Sequence, residues 1–267
     1  MGGKIWFYAG SLILALLVAS ALLAPFIAPH DPAQQNLDQD LLTYSSDHLF
    51  GTDKLGRDIL SRTLYGGRVS LLVGVTTVAI SLSMGLAIGS LSGYLGGWVD
   101  QLLMRLVDVL LAFPGILLAI AFTAVLGPGL DHVILALSLI GWTGYARLVR
   151  GEILSLKERE FVQAARALGS DPSRVIRSHL LPNLLPPLLI QATFGLAAAI
   201  IAEGSLSFLG LGVEPPTASW GSMLNEGRQF LLVAPHLTTY PGLALMITVL
   251  GLNLVGDSLQ DHLALRG

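Results

Sequence analysis

The sequence reads as an all-α membrane protein: six transmembrane helices with a cytoplasmic helix–turn–helix loop. Three observations carry that reading. Of 267 residues, 53% are hydrophobic and 12% charged, where soluble domains carry about 25% charged residues. Six apolar runs approach or exceed the roughly 20 residues needed to cross a hydrocarbon core, near residues 5–26, 69–91, 101–126, 132–146, 184–209 and 239–257. A polar, basic stretch from Glu158 to Pro172 is enclosed between the fourth and fifth runs.

Taken in order, the first run follows Lys4. Its apolar core outlasts the 7–15 residues of a signal peptide, so it is read as a retained span. Residues 28–68 carry Asp31, Asp38, Asp40, Asp47, Asp53 and Asp58 and are too polar for lipid. In the second run Gly85, Gly89, Gly93 and Gly97 recur every four residues. That spacing puts them on one helix face and lets a neighbour approach closely, either as packing inside the chain or as a sliding surface. Pro114 lies midway along the third run and predicts a kink there. Asp108 follows Arg105 by three residues, which predicts a local ion pair. The fourth run is short, and Leu148 and Val149 extend it.

The polar stretch predicts two short helices. Over 157–168, Phe161, Ala164, Ala165 and Leu168 share a face. Gly169 ends that helix, Asp171 caps the next and Pro172 opens it. The second helix runs to about Leu181, and Pro182 precedes the fifth span. Such a hairpin can grip an aqueous partner or lie on anionic lipid. In the fifth run Glu203 has no cation within a turn and is followed by Gly204, Ser205 and Ser207. An ionisable group there should face protein or water, so Glu203, Ser205 and Ser207 are candidates for lining a path or meeting another subunit. Pro215 and Pro216 stiffen the next loop ahead of Trp220.

With the amino terminus inside, ten cations fall on the cytoplasmic side: Lys4, Arg105, Arg147, Arg150, Lys157, Arg159, Arg166, Arg174, Arg177 and Arg266. Lys54, Arg57, Arg62, Arg68 and Arg228 fall outside. This asymmetry predicts both termini in the cytoplasm. It divides the chain into a first span (1–27), an exterior loop (28–68) and a five-helix domain (69–267). That domain carries a cytoplasmic loop (150–182) and an exterior loop (210–238).

Several chemistries are excluded or disfavoured. There is no cysteine, hence no disulfide or thiolate site. A net charge of −3 implies no attraction to nucleic acid. His30, His48, His132, His179, His236 and His262 form no HxH or HxxxH pair, so no metal site is assigned; only convergence of ligands from distant spans would make one. The only lysines are Lys4, Lys54 and Lys157, and none stands in a phosphate-cradling Gly-x-x-x-x-Gly-Lys-Ser/Thr loop.

The loop resembles the EAA signature of bacterial ABC importer permeases: Gln163-Ala164-Ala165, then Gly169, then Leu181-Pro182. Gln163 stands where that pattern has Glu, and His179 where it has Ile. Gly51-Thr52-Asp53-Lys54-Leu55-Gly56-Arg57-Asp58, Gly141-Trp142-Thr143-Gly144-Tyr145-Ala146-Arg147, Ser207-Phe208-Leu209-Gly210-Leu211-Gly212-Val213, Trp220-Gly221 and Asn253-Leu254-Val255-Gly256-Asp257 are similar to the dipeptide/oligopeptide/nickel permease family, of its C type. The resemblance implies a type I ABC importer permease and a heterodimer with a sister permease. It also implies two cytoplasmic ATPase subunits that bind ATP and Mg, and an extracytoplasmic substrate-binding protein. Glu160, Gln163, Ala164, Ala165, Arg166, Gly169, Leu181 and Pro182 would form the ATPase-coupling surface. Trp220, Pro215 and Pro216 would meet the binding protein or seal the outer mouth. Di- or oligopeptide transport in the bacterial inner membrane is the leading function, with no catalytic residue of its own. A nickel or metal-chelate permease is the alternative. An intramembrane enzyme using Glu203 and Asp108, and an ion-driven secondary transporter, stand further off.

Overall fold

The computed structural model describes residues 2–264, and among these the only β feature is an isolated antiparallel bridge between Thr52 and Asp58. Arg266, counted in the charge asymmetry, lies outside the described residues, as does the side chain of Lys4. The helices are α1 (Gly2–Leu22), α2 (Ala24–Ile27), α3 (Ile59–Leu95), α4 (Gly97–Leu111), α5 (Gly115–Leu126), α6 (Leu130–Lys157), α7 (Glu160–Ala167), α8 (Pro172–Val175), α9 (Leu181–Phe208), α10 (Trp220–Gly227) and α11 (His236–Ala264). Five segments are long and apolar enough to cross a membrane by themselves, and α4 with α5 form a bent pair at 84° that makes a sixth if it crosses as one span.

The third predicted span is therefore broken rather than kinked. Pro114 has no N–H to continue the helix and sits in an extended backbone (ψ 120°) ahead of α5. The second span is much longer than its apolar core. At 37 residues α3 extends about 55 Å, well beyond a hydrocarbon core of roughly 30 Å. It starts at Ile59 because Asp58 caps it, accepting from the Ser61 N–H at 2.7 Å. The polar first turns escape lipid by packing on the preceding loop. The fourth span likewise continues to Lys157, whose Nζ bonds the carbonyls of Gly93 and Tyr94 at the end of α3.

Glycine sets the closest helix contacts. Gly85, Gly89 and Gly93 are buried, and a Cβ on them would run into Tyr145, Ala146, Val149 and Ile153 of α6. The small-residue row is thus packing inside the chain. Gly97 does not share it; it has φ +58° and opens α4. On the other side of the bundle Gly10 of α1 abuts Gly251 and Leu254 of α11, and Gly251 in turn faces Ile13 and Leu14. Helix α9 packs against both α3 and α11.

One end of the bundle carries α7 and the other carries the loop 28–58. That loop is a clamp rather than a floppy connection. Arg57 Nε bonds Asp53 at 2.6 Å and its Nη2 bonds Glu226 of α10 at 2.5 Å. Arg62 Nη2 reaches both oxygens of Glu226 at 3.2 Å. Phe50 stacks on Tyr240 of α11 with ring centroids 3.8 Å apart.

Candidate functional site

Helix α7 is eight residues long and depends on the bundle for its place. Val162 is fully buried, in one cluster with Val149, Ile153, Val175, Leu180 and Leu184. It is thereby tied to the ends of α6 and α9, and Ala165 is buried beside it. The predicted apolar face is split by the fold. Only Ala165 turns inward, with Val162; Phe161 and Leu168 stay outside, Leu168 at 87% exposure. Glu160, Gln163, Ala164 and Arg166 are exposed as well. The Gln163 amide donates to the Glu158 carbonyl at 3.3 Å, and the Arg166 guanidinium lies 5.0 Å above the Tyr94 ring of α3.

Gly169 turns the chain with φ +78°. Its N–H bonds the Arg166 carbonyl and the Ser170 N–H reaches back to Ala165, a helix end that suits glycine because a Cβ is strained there. The second short helix is not separate from the fifth span. Helix α8 passes through a π-helical turn (Ile176–Leu180) directly into α9. Leu181 is half-buried and Pro182 exposed in the first turn of α9. Helix α7 is therefore joined to the ends of α6 and α9 through a packed, apolar contact.

Midway along the bundle, α3, α5, α6 and α9 enclose a groove of about 280 Å³. Its wall is apolar apart from Thr77, Ser81, Tyr145 and Gln191. The hydroxyls of Thr77 and Ser81 are buried with no hydrogen-bond partner in the protein. Such orphaned donors are uncommon in a finished interior. Sequence reasoning did not select these residues, because serine and threonine in apolar helices usually bond back to their own backbone, as Thr76 does to Leu72.

Other predicted residues lie elsewhere. Glu203 is fully buried between α3 and α9, accepting from the hydroxyls of Ser70 at 2.9 Å and Ser207 at 2.7 Å. It faces the chain's own interior, not an open wall. Ser205 bonds its own helix at Ile201. Trp220, expected on the outside, is 2% exposed; Gly66 and Gly67 of α3 make room for its indole, whose N–H donates to the Thr63 carbonyl at 3.0 Å. Pro215 and Pro216 are exposed. Asp108 pairs with Arg147 of α6 at 2.7 Å rather than with Arg105, and Asp100 takes Arg150 in a two-pronged contact at 2.5 and 2.6 Å. The two pairs bind α4 to α6. The sequence offered no compact metal-ligand set, yet the fold brings His30, His48 and Asp58 together at the loop end.

The family model described as "Binding-protein-dependent transport system inner membrane component" matches residues 85–266. A model for the "N-terminal TM domain of oligopeptide transport permease C" matches residues 6–43. The chain is 43% identical to the dipeptide transport system permease protein DppC of Bacillus subtilis, over 96% of this chain and 80% of that one. It is 43% identical to DppC of Alkalihalophilus pseudofirmus, over 95% and 84%. It is 46% identical to the glutathione transport system permease protein GsiD of Escherichia coli, over 95% and 84%. Among solved structures, the inward-facing MetNI methionine ABC transporter shares the fold, with a TM-score of 0.61 at 22% identity over 74% of this chain and 94% of that one.

Proposed function

Because the chain belongs to the binding-protein-dependent inner-membrane transport component family, the permease subunits of ABC importers, and within it to the C type, we propose that it forms half of a pore for di- and oligopeptides. The energy comes from ATP and Mg bound by two partner ATPase subunits; no phosphate-cradling loop occurs in this chain. As a family member with several membrane-crossing helices it is a multi-pass inner-membrane protein.

In this reading both termini are cytoplasmic and α7 faces the ATPases. One observation carries the coupling assignment. Helix α7 is anchored through Val162 to α6 and α9, while Phe161, Ala164 and Leu168 stay uncovered. Leucine held out at 87% exposure at the end of an eight-residue helix supports a partner seated on that face. Glu160, Gln163 and Arg166 supply its polar rim, and Gly169, Leu181 and Pro182 frame it. Gln163 meets the partner with an amide, since its own bond is a long one to Glu158. Closure of the ATPase pair then moves α7 and, through the Val162 contact, the walls of the groove.

The groove is one wall of the path, completed by a sister permease. Its unpartnered Thr77 and Ser81 hydroxyls and the Gln191 side chain suit a cargo rich in amide groups, and an apolar wall suits one with varied side chains. The exposed Pro215 and Pro216 lie at the opposite end, where the substrate-binding protein docks. Peptide cargo is supported by relatives that are dipeptide and glutathione permeases; none of those relatives favours nickel. A Leu168→Asp variant tests the coupling. It should fold as the parent does, yet lose ATPase co-purification and lower peptide uptake by about tenfold or more, the scale of one lost docking contact. Retention of both at parental levels would sink the assignment.

A further inference from the structure

At the end of the bundle opposite α7, the geometry points to a zinc site formed by His30, His48 and Asp58. The three come from separate stretches: His30 just after α2, His48 from mid-loop, and Asp58 from the cap of α3. Asp58 Oδ1 lies 2.9 Å from His48 Nδ1 and 3.8 Å from His30 Nδ1, and one ligand atom from each residue falls within 4.8 Å of the other two. Tetrahedral zinc, with bonds of roughly 2.0–2.2 Å to nitrogen and oxygen, sets its ligand atoms about 3.3 Å apart. The two measured edges bracket that spacing, so shifts of a few tenths of an ångström and a turn of the His30 ring close the site.

The surrounding bonds prepare these atoms for a cation. Asp58 spends Oδ2 on the Ser61 N–H and hydroxyl, both at 2.7 Å, and leaves Oδ1 to the histidines. His48 Nε2 faces Gln39 Oε1 at 3.3 Å, and Asn36 donates to that same oxygen at 2.9 Å. His48 Nδ1 shares a hydrogen bond with Asp58 Oδ1 at 2.9 Å, and Gln39 Oε1 is placed to accept from Nε2–H once a metal replaces the proton at Nδ1. This outer-sphere pattern is typical of a metal-binding histidine. His30 Nδ1 is buried with no hydrogen-bond partner. A cation between the three atoms answers all of these observations together. Two nitrogens and one oxygen are ligands that zinc accepts, and a cavity of about 230 Å³ beside them, rimmed by Gln34 and Asp47, has room for water as the fourth ligand. A metal here would staple the loop 28–58 to the start of α3. The site depends neither on the cargo nor on ATPase coupling.

The test uses the full-length permease, purified in detergent through a tag without histidine, stripped by chelator and titrated with ZnCl2 alone. Bound zinc is counted by mass spectrometry, affinity is read by calorimetry, and the unfolding midpoint is followed in parallel. One zinc per chain and a raised midpoint are expected. His30→Ala should weaken zinc binding by at least about tenfold and remove the midpoint shift while still folding, since the part-exposed ring makes no hydrogen bond at Nδ1 and its packing on His48 lies at the surface of the loop. His262→Ala, on α11, should change neither. No zinc uptake by the parent overturns the proposal and leaves an ordinary His48–Asp58 hydrogen bond. Parental binding by both His30→Ala and His48→Ala also overturns it, by placing the metal on other histidines.

Discussion

Gly169 shows how a single backbone angle complicates a functional test. Its φ of +78° costs an L residue about 1–2 kcal/mol, and among the described residues no atom beyond its chain neighbours lies within 4 Å of the Cβ it would carry. Gly169→Arg therefore mixes strain with any steric block to docking. Gly169→Asn separates them, since asparagine tolerates this conformation. The Asn variant should keep the parental melting temperature of the isolated permease and still lose ATPase association if the partner comes close to the turn. Glu203 gives a second prediction at this scale. Glu203→Leu strands the hydroxyls of Ser70 and Ser207 in the interior, at about 1–3 kcal/mol for each group left unpaired. Glu203→Gln keeps a carbonyl acceptor for one of them. Thermal unfolding in detergent should rank parent, Gln, then Leu; equal midpoints for Leu and parent would count against the buried network. The sequence marks Glu203 as anomalous in an apolar helix. It gives no sign of Ser70, 133 positions away, because that pairing is set by how α3 crosses α9.

At the scale of elements, the α3–α6 seam is the part of the fold read most directly from sequence. A four-residue glycine period needs only helical geometry to become a face, and Gly85, Gly89 and Gly93 all meet α6. Gly89→Leu should be among the most damaging substitutions in the chain. Its Cβ would fall on Ala146 and Val149, and overpacking of this kind costs about 1–3 kcal/mol or more. Size-exclusion profiles and folded yield in detergent measure it; a parental yield would show the seam to be looser than described. The break between α4 and α5 was only half legible. Pro114 announces an interruption, but the 84° bend also depends on α4 being held to α6 by Asp100–Arg150 and Asp108–Arg147. Those partners stand far apart in the chain. The face of α7 was misread for a related reason. Helical spacing selects Phe161, Ala164, Ala165 and Leu168, whereas the neighbouring cluster accepts Val162 and Ala165.

For the whole molecule, lipid makes the spans legible, because crossing it demands long apolar helices whatever the tertiary detail. The loop end escapes such reading. There Arg57 and Arg62 pair with Glu226 across more than 160 positions, through contacts that no local pattern encodes. Orientation stands between these cases: it rests on fifteen cations and on the rule that they favour the cytoplasm. The absence of native cysteine makes it directly measurable. Ala167→Cys lies exposed on α7 and Thr217→Cys lies exposed beside Pro216 at the other end, so each variant carries a single thiol. In intact cells expressing the permease without its ATPases, with any outer membrane made permeable, an impermeant maleimide should label the Thr217 variant at once. The Ala167 variant should react only after the cytoplasmic membrane is opened. The opposite order would turn α7 away from every cytoplasmic ATPase, leaving its uncovered leucine without the partner proposed for it and the groove without a drive.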